Sequence, residues 1–218
     1  MTMEDVIRRI HQIGIIPVVR ASNLDEARRA VDAICAGGIS VIEITMTVPN
    51  APAMIQELVH HYGDSVLTGA GTVTTARQAD TCIDSGARFL VSPGLSIPVL
   101  QTASKRDIPA IPGVLTPTEL MAALEAGASV IKVFPCGSVG GPKHIKALKA
   151  PFPDARLVPT GGVNLSNAID YIAAGAFALG VGADLVDLAA LRRNEPAKII
   201  EMAQALTDAV RKARTSKP

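Results

Sequence analysis

The stretch from Ala126 to Pro135 reads Ala-Gly-Ala-Ser-Val-Ile-Lys-Val-Phe-Pro. A helix-ending glycine is followed by an apolar run of β-strand character that lacks the alternation of a half-exposed strand. Such runs are typical of parallel strands buried on both faces. The same kind of glycine precedes other predicted strands at Gly38, Gly86 and Gly175. Its recurrence every two strand–helix units indicates a repeated β/α architecture.

Eight apolar strands are predicted along the chain, each followed by a helix. They cover residues 15–20, 40–46, 65–73, 88–92, 108–114, 129–135, 156–160 and 176–181. Capping-box patterns begin two of the helices, with Glu26 three residues after Asn23 and Glu119 three residues after Thr116. We therefore predict a single (β/α)₈ TIM barrel with an extra N-terminal helix, spanning 1–218 as one domain. A doubly wound open sheet is the less favoured arrangement.

Composition and charge exclude several classes of protein. A net charge of +1, with scattered lysines and arginines, provides no basic stripe for nucleic acid. No apolar stretch approaches the roughly 20 residues that a membrane span needs, and the N-terminus lacks the apolar core of a signal peptide. Three cysteines form no disulfide framework, so a cytoplasmic location is expected. The histidines show no metal-binding spacing, and no metal site is predicted.

Lys132 is out of place in its apolar strand, whereas the other lysines lie in polar helical or terminal contexts. Burial favours the neutral form of an amine, and a neutral amine is a nucleophile for carbonyl carbon. Glu43 is the only carboxylate embedded in an apolar strand run. The two residues can act as an amine nucleophile with a general acid–base. They can also form a structural ion pair that closes the barrel interior, or the lysine can snorkel to solvent.

Other polar residues stand at the ends of predicted strands, where barrel enzymes carry their catalytic groups. These residues are Arg20, Thr45, Thr47, Thr72, Ser92 and Thr160. After the seventh and eighth strands, Gly161-Gly162 and Gly182-Ala183 lead into helices. Such loops bind phosphate through backbone N–H groups, although each is also compatible with a simple tight turn. No lysine or arginine adjoins either loop in sequence, so we expect the backbone alone to supply the donors.

The ordered set of motifs resembles one enzyme family over nearly the whole chain. The motifs are Glu43-Ile-Thr-Met-Thr, Gly69-Ala-Gly-Thr-Val, Ser92-Pro-Gly, Ile111-Pro-Gly-Val, Lys132-Val-Phe-Pro, Pro159-Thr-Gly-Gly-Val and Gly180-Val-Gly-Ala-Asp-Leu-Val. They resemble the 2-keto-3-deoxy-6-phosphogluconate (KDPG) aldolases. This class I family also includes the 4-hydroxy-2-oxoglutarate aldolases.

The resemblance implies a homotrimeric barrel that cleaves a phosphorylated 2-keto acid to pyruvate and glyceraldehyde 3-phosphate without a cofactor. It implies that Lys132 forms a Schiff base and that Glu43 moves protons through a water molecule. Thr72 would bind the pyruvyl carboxylate close to the turn at Pro93. Phe134 would pack against the bound pyruvyl group.

Two positions depart from the family pattern. Many members carry an arginine where Thr47 stands, and we hypothesise that Arg20 supplies the missing positive charge to the substrate carboxylate. Members often carry a serine where Ala183 stands, so one hydroxyl contact to phosphate is lost. A softened preference for the phosphorylated substrate is expected.

Other functions remain compatible with these residues. A 2-keto-3-deoxy-6-phosphogalactonate aldolase would differ only in the configuration at C4 of its substrate. A non-catalytic barrel that binds sugar phosphates is less favoured, because it has no reason to retain a buried amine beside a buried acid. A metal-dependent aldolase is disfavoured by the lack of clustered ligands. Cys136 is either a reactive thiol or a small core residue.

Overall fold

The computed structural model describes residues 1–215, in which short parallel strands alternate with helices. The strands are β1 Ile15–Val19, β2 Val41–Thr45, β3 Leu67–Gly71, β4 Leu90–Val91, β5 Ala110–Ile111, β6 Gly113–Val114, β7 Ile131–Val133, β8 Leu157–Pro159 and β9 Leu179–Val181. The helices are α1 Met3–Ile13, α2 Leu24–Ala36, α3 Ala51–Tyr62, α4 Ala76–Asp84, α5 Ile97–Lys105, α6 Pro117–Glu125, α7 Pro142–Lys149, α8 Ala168–Ala173, α9 Leu188–Arg192 and α10 Ala197–Thr215. The last three positions of the predicted domain lie outside these residues.

The strands form a ring that is interrupted at one position. One sheet has the order β5-β4-β3-β2-β1-β9 and the other the order β6-β7-β8, and all pairs are parallel. A bridge between Thr160 and Gly180 joins β8 to β9. Pro112 separates β5 from β6, because proline has no N–H to donate to a ladder. The predicted TIM-barrel architecture is confirmed, but the prediction of one continuous fifth strand at 108–114 is wrong.

Apolar side chains fill the barrel interior, and α1 closes its amino-terminal end. Val6, Ile7 and Ile10 of α1 pack with interior residues that include Phe89, which is fully buried. Burial of such a ring contributes about 1.5–3 kcal/mol. A Cβ atom at Gly69 would lie 2.4 Å from the Phe89 ring, so a glycine on β3 makes room for it. The predicted extra N-terminal helix is therefore part of the core.

One of the two predicted capping boxes forms. Glu119 and Thr116 bond each other as expected at the start of α6. At α2, Asn23 accepts from the Glu26 N–H, but the Glu26 carboxylate turns away. It accepts from the Ser22 N–H at 2.6 Å and from Arg192 Nε at 2.7 Å. The prediction of a capping box at Asn23 is wrong, because Arg192 of α9 attracts the Glu26 carboxylate.

Candidate active site

Lys132 and Glu43 lie in the middle of β7 and β2, on different sheets of the barrel. Their exposed fractions are only 8% and 3%. A Cβ atom at Gly71 would lie 1.8 Å from Glu43 Oε1, so the carboxylate extends along the interior face of β3. Among the described residues, no ion pair within 4.0 Å joins the amine to the carboxylate. The two groups share the interior without a direct salt bridge.

Burial shifts both groups towards their neutral forms. It lowers the pKa of Lys132, an effect that Arg20 reinforces and the Glu43 carboxylate opposes. Burial also raises the pKa of Glu43, against the attraction of Lys132 and Arg20. An amine with a lowered pKa is a better nucleophile at a given pH, and a carboxyl with a raised pKa is a better proton donor. The pair therefore has the properties that acid–base and covalent catalysis need.

Phe134 covers the amine on the outer side of the barrel. Its ring centroid lies 4.9 Å from Lys132 Nζ, and the side chain is 37% exposed. A Cβ atom at Gly161 would lie 3.3 Å from the same ring. Phe134 thus forms an apolar wall between the lysine and the glycine loop that follows β8.

Thr72 follows β3 with an unusual backbone conformation. Its φ is 60°, in the left-handed region that β-branched residues rarely adopt. Such strain persists only where the surrounding structure enforces it, and it is concentrated at functional sites. The next residue, Val73, accepts a 2.6 Å hydrogen bond from the buried Ser92 hydroxyl through its carbonyl oxygen. The loop after β3 is therefore fixed to the turn after β4.

The turn that contains Pro93 packs against the strand that neighbours the lysine. A Cβ atom at Gly113 would lie 2.2 Å from the Pro93 carbonyl oxygen. Gly113 in turn pairs with Lys132 across β6 and β7. The structure thus places Pro93 against β6, one strand away from Lys132.

The loop after β8 presents backbone N–H groups. Gly161 and Gly162 have φ values of 84° and 77°, which only glycine adopts without strain. Thr160 is 8% exposed, with its hydroxyl packed against Gly180, where a Cβ atom would lie 2.2 Å away. Within residues 1–215, no protein acceptor is bonded to the N–H of Gly162, whereas Gly161 follows the bridge between Thr160 and Gly180. The Gly162 N–H is therefore available for an anion.

The loop after β9 lies beside an arginine that was not expected there. The Gly182 carbonyl oxygen accepts from the N–H of Leu185 at 3.0 Å, which bends the chain after Gly182-Ala183. A Cβ atom at Gly182 would lie 3.6 Å from Arg20 Nη1. The expectation that no cation adjoins these loops is therefore wrong, because β1 and β9 are neighbours in the closed barrel.

Thr45 and Thr47 form a hydroxyl pair at the end of β2. Their Oγ1 atoms are 2.7 Å apart, and Thr45 is fully buried whereas Thr47 is exposed. The family motifs identify Thr47 as a site residue but do not indicate that its hydroxyl pairs with that of Thr45. The alternation of Glu43, Thr45 and Thr47 along an extended segment was the available signal.

Cys136 behaves as a core residue. It is fully buried, and burial raises the pKa of its thiol. Its Sγ lies 3.6 Å from the Gly141 carbonyl oxygen. A thiol of this kind is protonated and shielded, so the interpretation as a small core residue is favoured over that of a reactive cysteine.

No group of three or more His, Cys, Asp or Glu side chains in residues 1–215 is arranged to hold a metal ion. None of the helices described has both the length and the apolarity for crossing a bilayer.

Comparisons with known proteins agree on one family. The family model for KDPG and KHG aldolase matches residues 6–202. The chain is 35% identical to the 2-dehydro-3-deoxy-phosphogluconate aldolase of Dickeya dadantii, over 87% of this chain and 89% of that protein. It is 37% identical to the 2-dehydro-3-deoxy-6-phosphogalactonate aldolase of Escherichia coli, over 80% of this chain and 85% of that protein. The structure of the Legionella pneumophila KDPG aldolase, with pyruvate captured as a covalent carbinolamine, superposes with a TM-score of 0.86 at 34% identity, covering 92% and 97% of the two chains.

Proposed function

The chain belongs to the KDPG and KHG aldolase family, and we propose that it cleaves 2-keto-3-deoxy-6-phosphogluconate to pyruvate and glyceraldehyde 3-phosphate through a Schiff base on Lys132. The observation that carries this proposal is the buried Lys132 amine, which shares the barrel interior with the buried Glu43 carboxyl. The electrostatic shifts of both groups support it. No cofactor takes part in the proposed reaction.

In the first stage, the neutral Lys132 amine attacks the C2 carbonyl of the substrate and forms a carbinolamine. Proton transfer to the departing hydroxyl releases water and leaves a protonated imine. Glu43 is the proposed proton carrier. It would act through a bridging water, because no ion pair within 4.0 Å joins the Glu43 carboxylate to the Lys132 amine in the described residues. Phe134 shields the imine from bulk water.

In the second stage, the C3–C4 bond breaks and its electron pair enters the enamine. The C4 hydroxyl gives its proton to the base, and glyceraldehyde 3-phosphate departs. Protonation of the enamine at C3, followed by hydrolysis of the imine, releases pyruvate and restores the amine. The protonated imine is the electron sink of the reaction, and each proton movement requires a group such as Glu43.

The remaining site residues would hold the two anionic ends of the substrate. Backbone donors of Gly161, Gly162, Gly182 and Ala183 suit the phosphate, with Thr160 supporting the loop. Thr47, Thr72 and Pro93 are assigned to the carboxylate end, close to the lysine strand.

Arg20 is assigned to the phosphate rather than to the carboxylate. Its guanidinium lies beside Gly182, in the loop proposed to bind phosphate. A guanidinium forms strong charge-assisted bonds with phosphate oxygens. The position therefore favours a phosphate role over the hypothesis that Arg20 replaces an arginine at position 47.

Two related substrates are also considered. The relatives include an aldolase for the phosphogalactonate series and KHG/KDPG aldolases. Assays with both C4 epimers and with 4-hydroxy-2-oxoglutarate would rank the three substrates. A higher kcat/KM for the galactonate epimer would replace the gluconate assignment.

The family resemblance also bears on assembly and location. We propose a homotrimer in the cytoplasm, following the family resemblance. Exposed apolar residues on α6, Met121 at 59% and Leu124 at 39%, are compatible with a subunit contact. Light scattering of the purified protein measures the assembly directly.

The decisive experiment is borohydride trapping with pyruvate, followed by peptide mass spectrometry. A reduced pyruvyl adduct on Lys132 is the expected result, and Lys132→Met should abolish it. A folded protein that forms no adduct would exclude the Schiff-base mechanism and favour the non-catalytic sugar-phosphate-binding barrel.

A further inference from the structure

We propose that Thr45 is a positioning residue that directs the hydroxyl hydrogen of Thr47 towards the carboxylate of the 2-keto acid. This inference rests on the proposed function, since it names how one end of that substrate is held. It makes Thr47 a neutral hydrogen-bond donor for the carboxylate and gives the buried hydroxyl of Thr45 a role in binding.

Either hydroxyl could donate in the Thr45–Thr47 bond, and we infer its direction from hydrogen-bond accounting. A hydroxyl has one hydrogen to donate and two lone pairs that accept. Thr45 is fully buried, and among the described residues its only side-chain partner is Thr47 Oγ1 at 2.7 Å. A buried hydroxyl that donates to nothing is destabilising. Thr45 therefore donates, and Thr47 accepts.

The consequence for Thr47 is that its own hydrogen must point elsewhere. Thr47 is exposed, so this hydrogen reaches either solvent or a bound ligand. Two hydroxyls that share one bond cannot both donate along it. The open side of Thr47 therefore has a hydrogen to donate, which suits a carboxylate, a group that only accepts.

The backbone holds the pair in place. The Val48 N–H donates to the Thr45 carbonyl oxygen at 3.1 Å, which forms a turn that returns Thr47 over the end of β2. The Met46 N–H donates to the Gly71 carbonyl oxygen at 2.7 Å and fixes the turn to β3. Because Glu43 precedes Thr45 by two residues on the same strand, the turn lies at the carboxyl end of the strand that carries the proposed acid–base. The pair is therefore rigid and lies at the mouth of the barrel.

The experiment measures the pyruvate concentration that gives half-maximal borohydride trapping, together with the rate at saturation. The variants are Thr45→Val, which removes the hydroxyl and keeps the shape, Thr47→Val, their combination, and Thr45→Ser, which restores the hydroxyl. Thr68→Val is the matched control. It removes another buried threonine hydroxyl, on β3, which has no hydrogen-bond partner in the described part of the chain.

Loss of a single hydrogen bond to a charged group predicts an increase of about 10- to 100-fold in the half-maximal concentration for Thr47→Val. Thr45→Val keeps the Thr47 hydroxyl but removes the group that orients it, so its increase should be smaller. The saturating rate should stay unchanged. The double variant should resemble Thr47→Val alone, because Thr45 acts only through the Thr47 hydroxyl. Thr45→Ser and Thr68→Val should match the wild type. With acetone, a ketone that has no carboxylate or other acceptor group in its place, all variants should behave alike.

Three results would overturn the inference while the proposed function stands. They are a Thr45→Val protein with wild-type affinity for pyruvate, a double variant in which the two effects multiply, and an equal loss of affinity for acetone. A wild-type protein that traps no pyruvate would instead overturn the proposed function, and this inference with it. Thr47→Val changes an exposed residue, so its result does not depend on a change within the core.

Discussion

The carboxylate of Glu43 lies against the backbone of Gly71, where an added Cβ atom would be 1.8 Å from Oε1. The close approach follows from their positions on neighbouring strands, since Glu43 of β2 and Gly71 of β3 both face the barrel interior. Gly71 thus makes space for the Glu43 carboxylate, as Gly69 makes space for the Phe89 ring.

Replacing Gly71 with alanine should therefore displace the Glu43 carboxylate. A misplacement of about 1 Å lowers turnover by roughly 100-fold, and overpacking lowers the free energy of unfolding by about 1–3 kcal/mol. Steady-state kinetics and denaturant titration measure the two effects. Gly94→Ala is the stability control, because its added methyl group would meet nothing within 4 Å. A Gly71→Ala protein with normal kcat would show that the position of Glu43 is not critical.

The pH dependence of pyruvate trapping should reflect the lowered pKa of Lys132. Since burial favours the neutral amine, the trapping rate should rise with pH and level off below the ordinary lysine value of 10.5. The Glu43 carboxylate raises this pKa and Arg20 lowers it. Glu43→Gln should move the midpoint to lower pH, and Arg20→Ala should move it to higher pH. Shifts in the opposite directions would contradict the arrangement of charges described here.

Arg20→Ala also tests which end of the substrate the guanidinium holds. If Arg20 binds phosphate, KM for the phosphorylated substrate should rise by about tenfold or more, from loss of a charge-assisted bond. KM for 4-hydroxy-2-oxoglutarate, which has no phosphate, should change little. An equal increase for both substrates would instead support the carboxylate hypothesis, and an unchanged KM for both would remove Arg20 from the site.

Glu26 should stabilise the fold in a pH-dependent manner. Burial alone would raise its pKa, but the hydrogen bonds from Arg192 and Ser22 outweigh burial and lower it. The stabilisation is therefore present above the ordinary pKa of 4.5 and is lost as pH falls through the folded-state value.

Glu26→Gln should reduce the free energy of unfolding by about 1–3 kcal/mol at neutral pH, and the difference from the wild type should shrink under acid conditions. Urea titrations at several pH values measure it. Glu57→Gln is the control, because Glu57 pairs with Arg28 at 3.3 Å on the exposed surface. A loss for Glu26→Gln that does not depend on pH would contradict the ion-pair explanation.

The architecture was predictable because its signals are local. Apolar runs, helix-ending glycines and strand–helix alternation each arise within a few residues, and barrel topology then brings strand ends together. Lys132 and Glu43 stood out because a charged residue in an apolar run contradicts the pattern around it. Their burial was a direct consequence of the strands that carry them.

The features that were missed depend on contacts between distant segments. Arg20 and Gly182 adjoin only because the last strand pairs with the first. Glu26 leaves its capping role because Arg192 approaches from α9. The room that Gly71 leaves for the Glu43 carboxylate is set by the register of β2 and β3. Such contacts depend on three-dimensional distances that a linear pattern does not specify.

The break at Pro112 helps to divide the barrel into two sheets, and each sheet carries one of the two reacting groups. Glu43 belongs to the six-stranded sheet and Lys132 to the three-stranded one. The two sheets join at two places, which are the covalent link through Pro112 and the bridge between Thr160 and Gly180. The distance between the carboxyl and the amine therefore depends on how the two sheets are joined, as well as on the two side chains. Substitutions at Pro112 are therefore expected to change the separation of the two groups without altering either the amine or the carboxyl.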